Sequence, residues 1–386
     1  MRLNAGLSLA FLIPIVACSG DPATNTSDTG ASASPYGGGG AAACPSAGPF
    51  AGAPIDSPRG EWTWIDVPGA KCRDGSQTGF GIRRSTKSNK VFLFLEGGGA
   101  CFNTATCATS LHSFGKLPFS AWKRSLGKVG IFDDDNAENP VRDWTAVYVP
   151  YCTGDVHAGS ADGVVVDGAG DSPQYFMGFR NIGLFLQRLV PTFRGAEQVL
   201  LTGVSAGGFG AAFNYDQVAT AFCPTPVALI DDSGPPMADP YLTPCLQRRW
   251  RETWRLDRTL PADCTECTGP DGGGVVNYAT YLARKWPKAR IGLISSVHDA
   301  AISTFFGFGS NECRLPVPLS GDKYEAGLVD LRSSYMPKTG LWGTYFVDSV
   351  MHTYLYTGMY NTKVGGTKLT DWMRDMLEGR PADIGP

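Results

Sequence analysis

Short, uninterrupted runs of apolar residues recur along the chain, separated by longer stretches whose apolar positions fall at helical spacing. The clearest runs are Val91–Leu95, 146–149, Val199–Val204, 227–230 and 290–295, rich in Val, Ile, Leu and Phe. A continuous run of about four to six such residues suits a strand buried on both faces, because a strand with one wet face would alternate. The stretches 177–190, 207–220, 276–285 and 367–377 read as helices that cover such a sheet. Their alternation predicts an α/β fold with a mostly parallel central sheet flanked by helices. Between two of the core runs, residues 235–274 carry aromatic, Arg and Cys residues, and read either as a cap or as surface decoration.

The N-terminus has a different pattern. Residues 7–17 form an apolar run behind Arg2, too short to span a bilayer, and read as a signal peptide. The run ends in Ile15-Val16-Ala17-Cys18, which resembles the lipobox of bacterial lipoproteins and would make Cys18 the lipidated first residue. An ordinary secretory peptide cut nearby is the alternative. Ser19 follows Cys18, which on resemblance to known sorting behaviour points to the outer membrane. Residues 19–60 are Gly, Ala, Ser, Pro and Thr with few large apolar side chains, so a flexible tether is expected there. Residues 61–386 are then the catalytic domain, in a cell-envelope lipoprotein or a secreted protein.

Composition narrows the chemistry. With 33 Lys+Arg against 36 Asp+Glu, the chain lacks the basic footprint of nucleic-acid binding. Its 43% hydrophobic content is enough for a large core. Of 11 Cys, setting Cys18 aside leaves an even number, enough for about five disulfides in an exported protein. Cys101 with Cys107 and Cys264 with Cys267 lie close enough to close locally. Cys264-x-x-Cys267 also reads as half a zinc site, but no second pair of Cys or His stands at ligand spacing.

The sharpest motif is Gly203-Val204-Ser205-Ala206-Gly207-Gly208. Gly-x-Ser-x-Gly is weak alone in so glycine-rich a chain, but here an apolar strand runs into it and small residues open a helix after it. That strand-turn-helix context is what a nucleophile elbow requires. Only His298 and His352 follow Ser205, and the order serine, acid, histidine favours Asp299 with His352. The competing pair is Asp231 or Asp232 with His298. Val91–Leu95 runs into Glu96-Gly97-Gly98-Gly99-Ala100-Cys101, whose bare amides are suited to a developing oxyanion, with the Ala206 amide as a second source. No Lys-Ser/Thr follows these glycines and no Gly-x-Gly-x-x-Gly is completed, which argues against a nucleotide-binding loop.

Leu95-Glu96-Gly97-Gly98-Gly99-x-Cys101, Val149-Pro150-Tyr151-Cys152-Thr153-Gly154-Asp155, Gly203-x-Ser205-Ala206-Gly207-Gly208, Asp231-x-Ser233-Gly234, Ser296-x-x-Asp299 and His352 occur in one order. In that order they resemble the pectin acetylesterase/Notum family, from about Gly60 to the C-terminus. The resemblance implies an α/β-hydrolase-like carboxylesterase with Ser205 as nucleophile, Asp299 orienting and His352 as base. It also implies oxyanion donors from Gly98, Gly99 and Ala206, and no metal or organic cofactor. Two positions depart from the plant pattern. Ala100 stands in place of an aromatic Trp, which widens the acyl side or leaves it to another aromatic; Ile302 replaces a Gln three residues after the acid, which weakens the case for sugar recognition. Tyr151, Asp155 and His157 are expected to line the pocket or to support it.

The expected function is an exported serine esterase acting on acyl esters, acetyl foremost, with polysaccharide deacetylation as the preferred use. The expected partners are the ester substrate and, through the N-terminal lipid only, a membrane; nucleic acid is not expected, and the protein is expected to be a monomer. One alternative is a non-catalytic carbohydrate-binding module on the same fold. Another is a long-chain acyl or polyester hydrolase, in which Phe305-Phe306-Gly307-Phe308 would touch apolar polymer.

Overall fold

The computed structural model describes residue 44 and residues 50–166, 169 and 172–386. Cys18, and residues 19–43 and 45–49 of the tether expected over 19–60, lie outside the described residues. The fold is a nine-stranded sheet, with strands β1 (Trp62–Lys71), β2 (Gln77–Arg83), β3 (Val91–Leu95), β4 (Thr145–Val149), β5 (Val199–Val204), β6 (Val227–Asp232), β7 (Arg290–Ser296), β8 (Leu341–Val347) and β9 (Asp383–Ile384). Their order across the sheet is β1-β2-β4-β3-β5-β6-β7-β8-β9. From β4 to β9 every neighbouring pair is parallel, and β1 and β2 add an antiparallel edge.

Every residue of β3, β4, β5 and β6 is buried, as their continuous apolar runs require. Because side chains alternate across a strand, each run feeds two cores. Val91, Leu93 and Leu95 join one core with Val199 and Leu201, while Phe92 and Phe94 join the other with Leu200 and Val204. The helices α1 (Gly178–Thr192), α2 (Ala206–Phe222), α3 (Pro244–Trp254), α4 (Asn277–Lys285), α5 (Ala300–Phe306) and α6 (Leu369–Glu378) supply most of the covering residues.

Strand register gathers the chemistry on one edge. Leu95 pairs with Gly203, Gly203 with Asp231, Asp232 with Ile294 and Ser296 with Val347. The segments after β3, β5, β6, β7 and β8 therefore leave the sheet side by side at its carboxyl end, where ligands of such sheets collect.

The structure differs from expectation at Cys44 and residues 50–60, not all of which form a free tether. Cys44 is disulfide-bonded to Cys223, Phe50 packs on the core and Ile55 is buried. The Ile55 amide donates to Thr192 Oγ1 at 2.8 Å and Arg188 Nε donates to the Ala53 carbonyl at 2.7 Å, fastening the segment to α1. Few apolar anchors and one remote cysteine fold it, which composition alone hides.

All ten described cysteines are paired: Cys44–Cys223, Cys72–Cys152, Cys101–Cys107, Cys245–Cys313 and Cys264–Cys267. The two local pairs close as expected, and with Cys264 and Cys267 joined neither sulfur is a thiolate for zinc. The segment 235–274 contains α3, whose Trp250 and Trp254 are buried. Trp254 Nε1 donates to the Cys101 carbonyl at 2.7 Å, so this part of the segment packs behind the glycine loop.

Candidate active site

Ser205 ends the strand-to-helix turn between β5 and α2 with φ 57° and ψ −121°, a conformation a non-glycine residue adopts only under constraint. The constraint is visible on both sides. The Ser205 amide donates to the Asp232 carbonyl at 2.8 Å, and the Ser205 carbonyl accepts from Gly208 and Phe209 at 2.9 and 3.1 Å. A β-carbon on Gly207 would stand 1.9 Å from the Leu95 carbonyl oxygen, so only glycine lets α2 start this close to β3.

Asp299 is fully buried and caps α5, its Oδ1 accepting from the Ala301 and Ile302 amides at 2.9 Å each. Its Oδ2 accepts from His352 Nδ1 at 2.8 Å. A carboxylate only accepts, so this contact places a proton on Nδ1, and in the neutral ring Nε2 is then the acceptor. The competing pair does not form. Asp231 accepts from the Gly234 amide, Asp232 accepts from the Tyr354 and Leu355 amides, and the ring of His298 lies 3.7 Å from Asp348.

The loop that carries His352 is held on both sides of the ring. Ser296 Oγ, at the end of β7, donates to the Met351 carbonyl at 2.6 Å. Asp232 Oδ2, at the end of β6, receives Tyr354 and Leu355 at 2.7 and 2.9 Å. Burial pushes the Asp232 carboxyl up to about 6, opposed by these two amides and by His352 nearby. Asp232 is thus one residue joined to both the serine turn and the histidine loop. Sequence reasoning weighed it only as a rival acid, although its place directly after a buried strand was a usable signal. Among the described residues Ser205 Oγ makes no hydrogen bond, and such contacts often tighten only when substrate binds.

The glycine loop follows β3. Gly98 and Gly99 have φ of 150° and 78°, backbone that L side chains rarely adopt. Among the described residues their amides donate to no protein group, and Ala206 opens α2, where the first amides lack helical partners. Tyr151, Asp155 and His157 prove to be supports behind this loop, all three buried. Tyr151 Oη donates to the Gly99 carbonyl and accepts from the Val156 amide, both at 2.9 Å. His157 Nε2 donates to the Glu96 carbonyl at 2.9 Å, and burial pulls its ring down to about 4, so it is neutral. Asp155 Oδ2 accepts from the Gly159 and Gly178 amides at 3.1 and 2.7 Å.

Glu96 was not singled out beforehand. Its half-buried carboxyl is pushed up by desolvation, accepts from the Gly97 amide at 3.2 Å and from Tyr356 Oη at 2.5 Å, and so links the glycine loop to the histidine loop. Ala100 is buried rather than lining an open wall; the face of Gly99 is covered by the ring of Phe305. A cavity of about 790 Å³ opens between residues 239–248 and 306–323, beside α5, and Ser205 does not line it.

A sequence model of the Pectinacetylesterase family matches residues 62–300, which include the glycine loop, Ser205 and Asp299 and stop short of His352. Over 153 residues, 38% of this chain, the sequence is 36% identical to human palmitoleoyl-protein carboxylesterase NOTUM. Over 209 residues, 50% of the chain, it is 28% identical to the Drosophila melanogaster protein of that name. These matches cover 29% and 31% of the relatives, so the chain spans less than a third of the length of the curated relatives it matches. A solved structure of the Wnt deacylase Notum from Drosophila aligns with a TM-score of 0.58 and 20% identity, covering 82% of this chain and 94% of that one. At that identity the likeness shows the fold, a Notum-like α/β hydrolase. The family match, running through more than half of the sequence and through the loops at the sheet's carboxyl edge, places the chain in the pectinacetylesterase family of carboxylic ester hydrolases.

Proposed function

We propose that the protein is an exported serine carboxylesterase that hydrolyses acyl esters through an acyl-enzyme on Ser205. The observation that carries this reading is the Asp299–His352 pair at 2.8 Å, set on the same sheet edge as a serine of constrained backbone. In the proposed sequence Ser205 Oγ attacks the ester carbonyl while His352 Nε2 takes its proton. The oxyanion is received by the amides of Gly98, Gly99 and Ala206, each donor of this kind being worth about 3 kcal/mol. The carbon–oxygen bond to the alcohol breaks and His352 returns the proton to the departing oxygen. Water, deprotonated by His352, then attacks the acyl-enzyme; the acyl carbon–Oγ bond breaks, His352 returns the proton to Ser205 Oγ, and the carboxylic acid leaves.

Acetyl esters, with acetylated polysaccharide as the natural substrate, are the preferred reading and follow the family's name. Long acyl chains are the second reading, favoured by relatives named palmitoleoyl-protein carboxylesterases. Export is supported by five disulfides, a pattern that persists in oxidising compartments. Attachment through a lipid on Cys18 and an N-terminal tether forms part of the proposal; among the described residues no helix is long and apolar enough to cross a membrane. Initial rates on p-nitrophenyl acetate test the reading. The purified protein hydrolyses it and Ser205→Ala, folded by circular dichroism, falls to background; full activity in Ser205→Ala contradicts the assignment.

A further inference from the structure

We infer that Phe305 sets the acyl-chain length, closing the acyl side of the site so that it takes acetyl and other very short chains. This rests on the serine-esterase reading above. Phe305 lies on α5, the helix whose N-terminus is capped by Asp299. Its ring covers the loop at the candidate oxyanion donor: a β-carbon on Gly99 would stand 3.1 Å from Phe305 Cζ and 3.9 Å from Cε1. Behind Phe305 the space is already filled. Phe308 packs 6.5 Å from it, Phe102 packs 5.5 Å from Phe308, and Trp254 packs 6.3 Å from Phe102, centroid to centroid.

An ester carbonyl held by the Gly99 amide has its oxygen on the loop and its alcohol toward His352. In the inferred arrangement the acyl chain leaves on the remaining side, past the surface of the loop where Phe305 rests. A methyl group clears a ring so placed, whereas a chain of several methylenes meets it. The wall is firm because α5 is fixed at its start by the two amides on Asp299 and anchored by Phe306, which is buried in the core. The departure at Ala100 therefore does not open the acyl side; the ring that closes it comes from a different segment. Of the stretch Phe305-Phe306-Gly307-Phe308, Phe306 faces the core and only Phe305 and Phe308 are partly exposed.

The test measures kcat/KM on p-nitrophenyl acetate, butyrate, octanoate and palmitate for the full-length protein, Phe305→Ala, Phe305→Leu and Ser205→Ala. The expected result is a preference for acetate over octanoate in the parent, with the octanoate-to-acetate ratio rising about tenfold or more in Phe305→Ala and by less in Phe305→Leu, the scale at which added methylenes are discriminated by a pocket. Phe305→Leu keeps an apolar side chain in the aromatic cluster, and thermal melts identify the folded variants. A parent that prefers octanoate or palmitate overturns the inference, as does an unchanged ratio in either folded variant. Hydrolysis that survives Ser205→Ala overturns instead the reading on which the inference rests.

Discussion

At Ser205 the backbone is held at a positive φ that costs about 1 to 3 kcal/mol and persists only because the Asp232 carbonyl and the first turn of α2 fix both sides of it. Asp299 illustrates a second economy at this scale, one carboxylate capping α5 with one oxygen and holding His352 with the other. Asp299→Asn keeps an acceptor for the cap but can hold His352 in the wrong tautomer. The expected outcome is a loss of about 10³- to 10⁴-fold in kcat with little change in melting temperature. Steady-state kinetics beside a thermal melt check it. Tyr151→Phe removes the hydroxyl that bridges the Gly99 carbonyl and the Val156 amide. It should cost about 1 to 3 kcal/mol of stability in urea titration, because a buried amide loses its partner.

At the scale of elements, the site is a set of loops tied to one another. Asp232 joins the β5 turn to the His352 loop, so Asp232→Ala should lower kcat about 10- to 100-fold while leaving KM near its parent value, since it frees the loop without touching the acyl site. His157 supports the glycine loop as a neutral ring, pulled down to about 4 by burial from an ordinary 6.5. Between those values the unfolded chain binds a proton that the folded chain refuses. Stability therefore falls as pH drops from about 6.5 to about 4, by about 3 kcal/mol for this group at full effect. Urea midpoints across that range should fall less steeply in His157→Gln.

The central strands were legible in the sequence because burial on both faces demands an unbroken apolar run, and β3, β5 and β6 have one. The antiparallel edge β1–β2 was not, since the burial pattern of β1 is mixed, and α5 was too short to show helical periodicity. The serine turn, the glycine loop, and Asp299 and His352 as proposed acid and base were readable as candidates because their residue types suit the chemistry, and the structure brings Asp299 and His352 into contact. The supports were not: Asp232 and Glu96 act through partners 122 and 260 residues away, Tyr151 reaches Gly99 52 residues away, and nothing local in sequence announces such contacts.

At the scale of the molecule, disulfides fix segments that have little core of their own. Cys44–Cys223 spans 179 residues and pins the stretch leading to β1 against the body of the fold. Replacing both residues by Ser should cost about 2 to 4 kcal/mol in urea denaturation, because the unfolded chain regains the freedom of a long loop. Cys101–Cys107 and the Trp254 indole close the segment just beyond the glycine loop, so reduction of the protein should lower activity before it unfolds the sheet. Parallel measurement of rate and near-ultraviolet circular dichroism during reduction follows both events.

In the proposed mechanism Ser205 is an activated nucleophile served by His352. Intact-protein and peptide mass spectrometry after treatment with a fluorophosphonate reads this directly, because the reagent phosphonylates a serine only where a base and oxyanion donors converge. A single adduct is expected, on the peptide containing Ser205, absent in Ser205→Ala and formed far more slowly in His352→Ala. No adduct on the folded protein, or an adduct at another serine, would contradict that mechanism.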